Sequence, residues 1–171
     1  MSAPALPVFY DGWTKHQALV IGALRGLTPE QVGLRAAPHQ WAVWQLASHV
    51  AGARVYWFHD ILGEGDAATR DLFRVDHTTV PDLPVAEAWW EDDEDHPRSA
   101  EELVDGLQRS WAMVDDCIRR WTAEDLDASV VGSSRTHHRG WVVWHVLEHD
   151  LHHGGEISQI LGSNGLAGLD L

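Results

Sequence analysis

A nine-residue window occurs twice in this chain. Residues 41–49 read WAVWQLASH and residues 141–149 read WVVWHVLEH, so Trp41, Val43, Trp44 and His49 recur as Trp141, Val143, Trp144 and His149. The turn ahead of each window echoes as well, Thr28-Pro29-Glu30-Gln31-Val32 against Thr122-Ala123-Glu124-Asp125-Leu126. An echo that covers both a turn and the segment after it describes two helix–capped turn–helix pairs. If the pairs pack about a pseudo-two-fold axis, His49 and His149 take equivalent places in one bundle.

Four long segments read as helices. The first spans about Asp11 to Gly26, with Trp13, His16, Val20, Ala23 and Leu24 at helical spacing. The second runs from about Gln40 to Leu62 and stops at Gly63. The third opens at Ser99-Ala100-Glu101-Glu102, a capping box, and carries a seam of Leu103, Leu107, Trp111, Val114, Ile118 and Trp121. The fourth runs from about Gly140 to Leu161, with Gly162 as its stop. No segment alternates at period two, so no sheet is expected. The fold expected is all-α: a single four-helix-bundle domain over residues 1–171, made of two helix pairs. Between its second and third helices lies a connection of about 35 residues, long enough to join parallel neighbours. The acidic run Glu91 to Asp95 inside that connection reads as a solvated loop.

Charge and composition narrow the function. Twelve Lys and Arg stand against 26 Asp and Glu, a net charge of −14, which disfavours nucleic acid and anionic lipid as partners. There is no apolar stretch of about 20 residues to span a membrane. The segment MSAPALPVFYDGW has neither the basic flank nor the apolar run of a signal peptide. One cysteine, Cys117, cannot form an internal disulfide, and the expected location is cytoplasmic.

The 12 histidines concentrate on the fourth helix as His145, His149, His152 and His153. On a wheel of about 100° per residue, His145, His153 and His152 fall at about −40°, +40° and −60° from His149. Val142, Val146, Glu156, Ile157 and Ile160 share that side, whereas Trp144, Leu147 and Asp150 point elsewhere, so the histidines are expected to face the core. Buried imidazoles need partners, and a metal ion satisfies several at once. On the second helix Gln45, Leu46, Gly52, Ala53 and Tyr56 share the face of His49, and the small Gly52 and Ala53 leave room beside it. Gly154-Gly155 weakens the fourth helix and signals close approach of a helix or a ligand. The string His145-Val-Leu-Glu148-His149 matches the H-x-x-E-H of inverted zinc peptidases. Only 22 residues follow it, too few for the further acidic ligand those enzymes require.

The string HVLEHDLHHGGEI at 145–157 resembles the final-helix signature of the DinB-like metal-binding four-helix bundles, and WAVWQLASHV at 41–50 resembles their second-helix signature. The resemblance implies one divalent metal held by His49, His149 and His153, with zinc expected and nickel, iron or manganese as alternatives. His145 and His152, which compete by angle, are expected beside the ligands. The resemblance also implies a homodimer and a thiol S-transferase that uses a low-molecular-weight thiol of the mycothiol or bacillithiol type. Three neutral imidazoles leave a position open on the metal, where a thiol would be held as thiolate or a water would lose its proton near pH 7. Glu156 is the candidate proton acceptor, and Tyr56 and Arg139 are the candidate substrate contacts. The alternatives are a metal-dependent hydrolase or isomerase without a thiol, and a non-catalytic metal or small-molecule binding protein.

Overall fold

The computed structural model describes residues 7–75, 88–130 and 137–169. Part of the long connection, residues 76–87, lies outside them, as does the start of the N-terminal segment. Helix α1 spans Pro7–Leu24, the short α2 Pro29–Val32, and α3 Val43–Val55. Helices α4 (Ala67–Leu72) and α5 (Ala100–Arg120) follow, then α6 (Ala123–Asp127) and α7 (Arg139–Ser163).

The helix starts follow local chemistry. Thr28, Ser99 and Thr122 each cap a helix, and Gln31, Glu102 and Asp125 reach back to the cap backbone, which satisfies orphan N–H groups from both sides. Helix α3 has no capping side chain at Ala42, yet Gln45 Oε1 accepts from the Ala42 N–H at 3.0 Å. The second predicted segment changes character before its end. Residues Tyr56–Ile61 form a π-helical turn, in which the Leu62 N–H donates to the Trp57 carbonyl, 3.1 Å away and five residues back. Nothing in the hydrophobic pattern announced it.

Contacts between named residues give the helix directions. Trp41, His49 and Trp57 lie beside His153, His149 and Trp141, so α3 and α7 are antiparallel. Trp13 meets Asp150, and Val20 meets Gly154, so α1 and α7 run in parallel. Trp13 meets Trp111 while Gln17 donates to the Leu107 carbonyl, so α1 and α5 are antiparallel. It follows that α3 and α5 are parallel, the arrangement that the long connection permits. Helices α1 and α3 both pack on α5 and α7, so each sequence pair spans a diagonal of the bundle.

Two expectations are corrected. A minimal antiparallel pair does form, with Ser129 opposite His138 and Val130 opposite His137 (β1 Ser129–Val130, β2 His137–His138). Two residues per strand are too few for alternation to register. The core face of α7 is also rotated from the one expected. Its buried residues include Val142, Val146, Asp150, Gly154 and Ile157, so Asp150 is inside and the histidines flank the core rather than occupy it. A wheel that scores apolar side chains places an aspartate outside. Asp150 is inside because Arg54 meets it there with bonds of 2.9 and 2.7 Å. Gly154 explains the close approach: a Cβ there would sit 2.5 Å from the His16 ring.

Candidate metal centre

His49 projects from the middle of α3, and His149 and His153 project from consecutive turns of α7. A four-residue step places the two α7 rings one above the other on the flank that faces α3. The three ring centroids lie 4.4 to 5.0 Å apart. One nitrogen from each ring falls within 4.8 Å of the others, close enough to hold one ion. His49 Nε2 and His149 Nε2 face each other at 2.9 Å.

Two carboxylates orient the cluster. His49 Nδ1 lies 2.9 Å from Glu91 Oε1, and His153 Nδ1 lies 2.6 Å from Glu156 Oε2. A carboxylate only accepts, so both Nδ1 atoms carry the proton and both Nε2 atoms carry a lone pair. If His149 then donates from Nε2 to His49, its Nδ1 becomes an acceptor, and that atom is buried with no partner among the described residues. The histidines therefore cannot satisfy one another. Burial holds His149 far below the ordinary histidine range, to about 3, with repulsion from His153, His49, His145 and Arg54 adding to it. Burial also lowers His153, against the pull of Glu156. These are neutral imidazoles, the protonation state a metal needs. The donor set thus fits a divalent cation held by His49, His149 and His153.

A sequence model of the DinB superfamily matches residues 13–157, most of the chain. The chain belongs to the DinB superfamily. Among solved structures it is similar to a DinB-like protein from Bacillus cereus, with a TM-score of 0.69 at 20% identity over 98% of both chains. It is also similar to a conserved protein from Enterococcus faecalis, with a TM-score of 0.68 at 16% identity over 91% of this chain and 96% of that one. A member of the DinB family from Exiguobacterium sibiricum gives a TM-score of 0.60 at 17% identity over 92% and 90%. At these identities the likeness is one of fold. No curated protein sequence matches.

Within this DinB fold the other predicted residues fall into distinct places. Glu156 is bonded to His153 and half exposed. His152 is exposed, 3.8 Å from Glu156, and forms with His153 and Glu156 a second group of metal-ligand type on the rim. His145 stands apart from the ligating nitrogens. It stacks on Trp141 at 4.7 Å with the planes 13° apart and meets the edge of Trp57. Tyr56 lies at the mouth of a cavity that His49 and His149 also line. Arg139 does not reach the centre. It is ten residues from His149, about 15 Å along the helix, and it is held over Trp121 and beside Asp125 and Glu64.

The residue that sequence reasoning missed is Glu91. The acidic run was expected to be solvated, but Glu91 and Asp93 are buried. A short 3-10 turn, Trp90–Asp92, folds this part of the connection against α3, where Gln45 donates to the Glu91 carbonyl at 3.0 Å. The available signal was the pair Trp89-Trp90 just ahead of the acidic residues, since two tryptophans seldom border a solvated loop. Cys117 is buried and its thiol is pushed up to about 12, so it is no nucleophile.

Proposed function

We propose that this protein is a divalent-metal-dependent enzyme of the thiol S-transferase type, using a low-molecular-weight thiol. The observation that carries the reading is the trio of converging imidazoles, two of them oriented by Glu91 and Glu156, that brings one nitrogen from each ring together between α3 and α7. Zinc is the expected ion for three nitrogen ligands. When bound, such a cation supplies Lewis acidity, which lowers the pKa of a thiol or water beside it. His49, His149 and His153 would hold it. Glu91 fixes the tautomer and rotation of His49, and Glu156 does the same for His153. Glu156 also borders a cavity of about 400 Å³ with His39, Gln40, Trp41 and Gln159, which supports the reading that its carboxylate would take the proton a thiol gives up there.

The test begins with elemental analysis of untagged wild type beside His49→Ala. One divalent ion per chain in the wild type, lost in the variant, supports the centre. Thiol consumption against an electrophile, dependent on that ion, then supports transfer. Ion-dependent turnover that ignores added thiol assigns a hydrolase or isomerase instead. A wild type without metal removes the proposal.

A further inference from the structure

The histidine centre is flanked by two cavities of opposite character. His153 borders the one already described, whose lining includes His39, Gln40, Glu156 and Gln159, side chains able to hydrogen-bond. His49 and His149 border a second cavity, of about 330 Å³, whose wall also holds Gly52, Ala53, Tyr56, Trp57, Trp89, Glu91 and His145. Three aromatic rings and two of the smallest residues make most of this wall apolar, with the histidines and Glu91 at its polar side. Gly52 lets the wall approach closely, since a Cβ there would lie 3.2 Å from the Trp89 ring, which would have to shift. Among the described residues no Lys or Arg lines it. Arg74, whose guanidinium lies over Trp89, is bridged to Asp60 at 2.6 Å. The π-helical turn begins at the cleft, with Tyr56 and Trp57 as its first residues. Turns of this kind occur mostly as single insertions in helices, frequently at functional sites, and they cost backbone regularity. Here the turn carries Trp57, which sets its edge against Trp141 and His145.

We infer that the aromatic cleft is a binding site for neutral, planar, ring-bearing molecules, and that the polar cavity across the histidines takes the hydrogen-bonding partner. The volume is at the small end for ligand pockets, which suits one or two fused rings rather than a peptide. Aromatic walls reward a ring by stacking and edge contacts. Among the described residues the wall holds the Glu91 carboxylate and no Lys or Arg, which favours a neutral ring over an anionic one. The inference rests on the metal-dependent reading only in treating the ring compound as a substrate.

Indole, neutral and bicyclic, is the probe, and its binding is followed by ligand-observed NMR titration against the protein as purified. Wild type should bind it in the millimolar range or tighter. Ala53→Phe, which fills the slot, and Tyr56→Ala, which opens its mouth and keeps the core intact, should each weaken binding at least about tenfold and about threefold, respectively. Gln159→Ala, on the polar side, should leave it unchanged. Absence of binding to wild type, or equal binding to Ala53→Phe and Tyr56→Ala, overturns the inference. Zinc content measured on the same samples separates the two readings. Zinc bound with no indole binding defeats only the cleft assignment, and indole binding without zinc defeats only the metal-dependent function.

Discussion

Adjacent residues of α7, His149 and Asp150, belong to two polar centres built on opposite principles. Around Asp150, unlike groups meet. Its Oδ2 accepts from Trp13 at 2.7 Å and from Arg54 Nε and Nη2 at 2.9 and 2.7 Å. Arg54 also donates to Gln17 of α1 and to the Leu107 carbonyl of α5, so one guanidinium ties all four long helices together. Around His149, like groups meet. Three imidazoles converge, two with lone pairs aimed inward, and no internal arrangement of protons satisfies them all. The first centre pairs opposite charges and gathers three donors on one carboxylate oxygen, although Asp150 Oδ1 has no partner among the described residues, and it acts as scaffold. The second leaves His149 Nδ1 without a partner among the described residues, stands half open between two cavities, and reads as a site. Burial alone would have ranked them the other way, because Arg54 and Asp150 are each only 1% exposed.

The contrast can be broken most forcefully at Asp150. Asp150→Ala leaves Arg54 buried and unpaired and should cost about 3–5 kcal/mol in urea unfolding, while the double variant with Arg54→Met should recover most of the loss. A cost below about 1 kcal/mol would mean that this centre is not the scaffold. Metal should act in the opposite sense at the histidines. Free zinc at about 100 times its Kd should stabilise the wild type by about 2.7 kcal/mol and His49→Ala by nothing, read from thermal unfolding. His49→Ala itself, without metal, should stay within about 1 kcal/mol of wild type, since it relieves an unsatisfied cluster.

Glu91→Gln should weaken zinc binding about 10–100-fold in chelator competition and leave the fold intact, because the amide no longer enforces the His49 tautomer. Unchanged affinity would reduce Glu91 to a packing residue. Proton linkage gives the smallest effect. His149 is held near 3 in the folded chain, against an ordinary value near 6.5 in the unfolded one. Between those limits the unfolded chain takes up a proton that the folded chain refuses. The stability of metal-free protein should therefore be flat above about pH 6.5 and fall as pH drops toward 3. His149→Gln should remove part of that slope, and an unchanged slope would place the titration elsewhere, with buried His16 next in line.

The four long helices, their capped starts and the meeting of His49 with His149 were legible in the sequence, because periodicity and capping are local and the internal echo carries the pairing. The echo misleads elsewhere. Trp44 is buried, whereas its counterpart Trp144 is 57% exposed. Likeness between two windows of sequence does not give them the same surroundings. The rotated face of α7 was hidden because Asp150 enters the core only with Arg54, a partner 96 residues away.

Sequence by itself thus determined the all-α class, the family, the helix boundaries to within a few residues and the histidines able to converge, since each depends on composition and spacing along one segment. Tertiary structure alone decided which face of α7 is inside, that Glu91 returns from the long connection to orient His49, that Arg139 is held elsewhere, and that the centre separates an aromatic cleft from a polar one. Those outcomes depend on pairings between distant segments. The free energy of burying a charge or an imidazole is set by the group it meets, and periodicity along a single helix carries no record of that group.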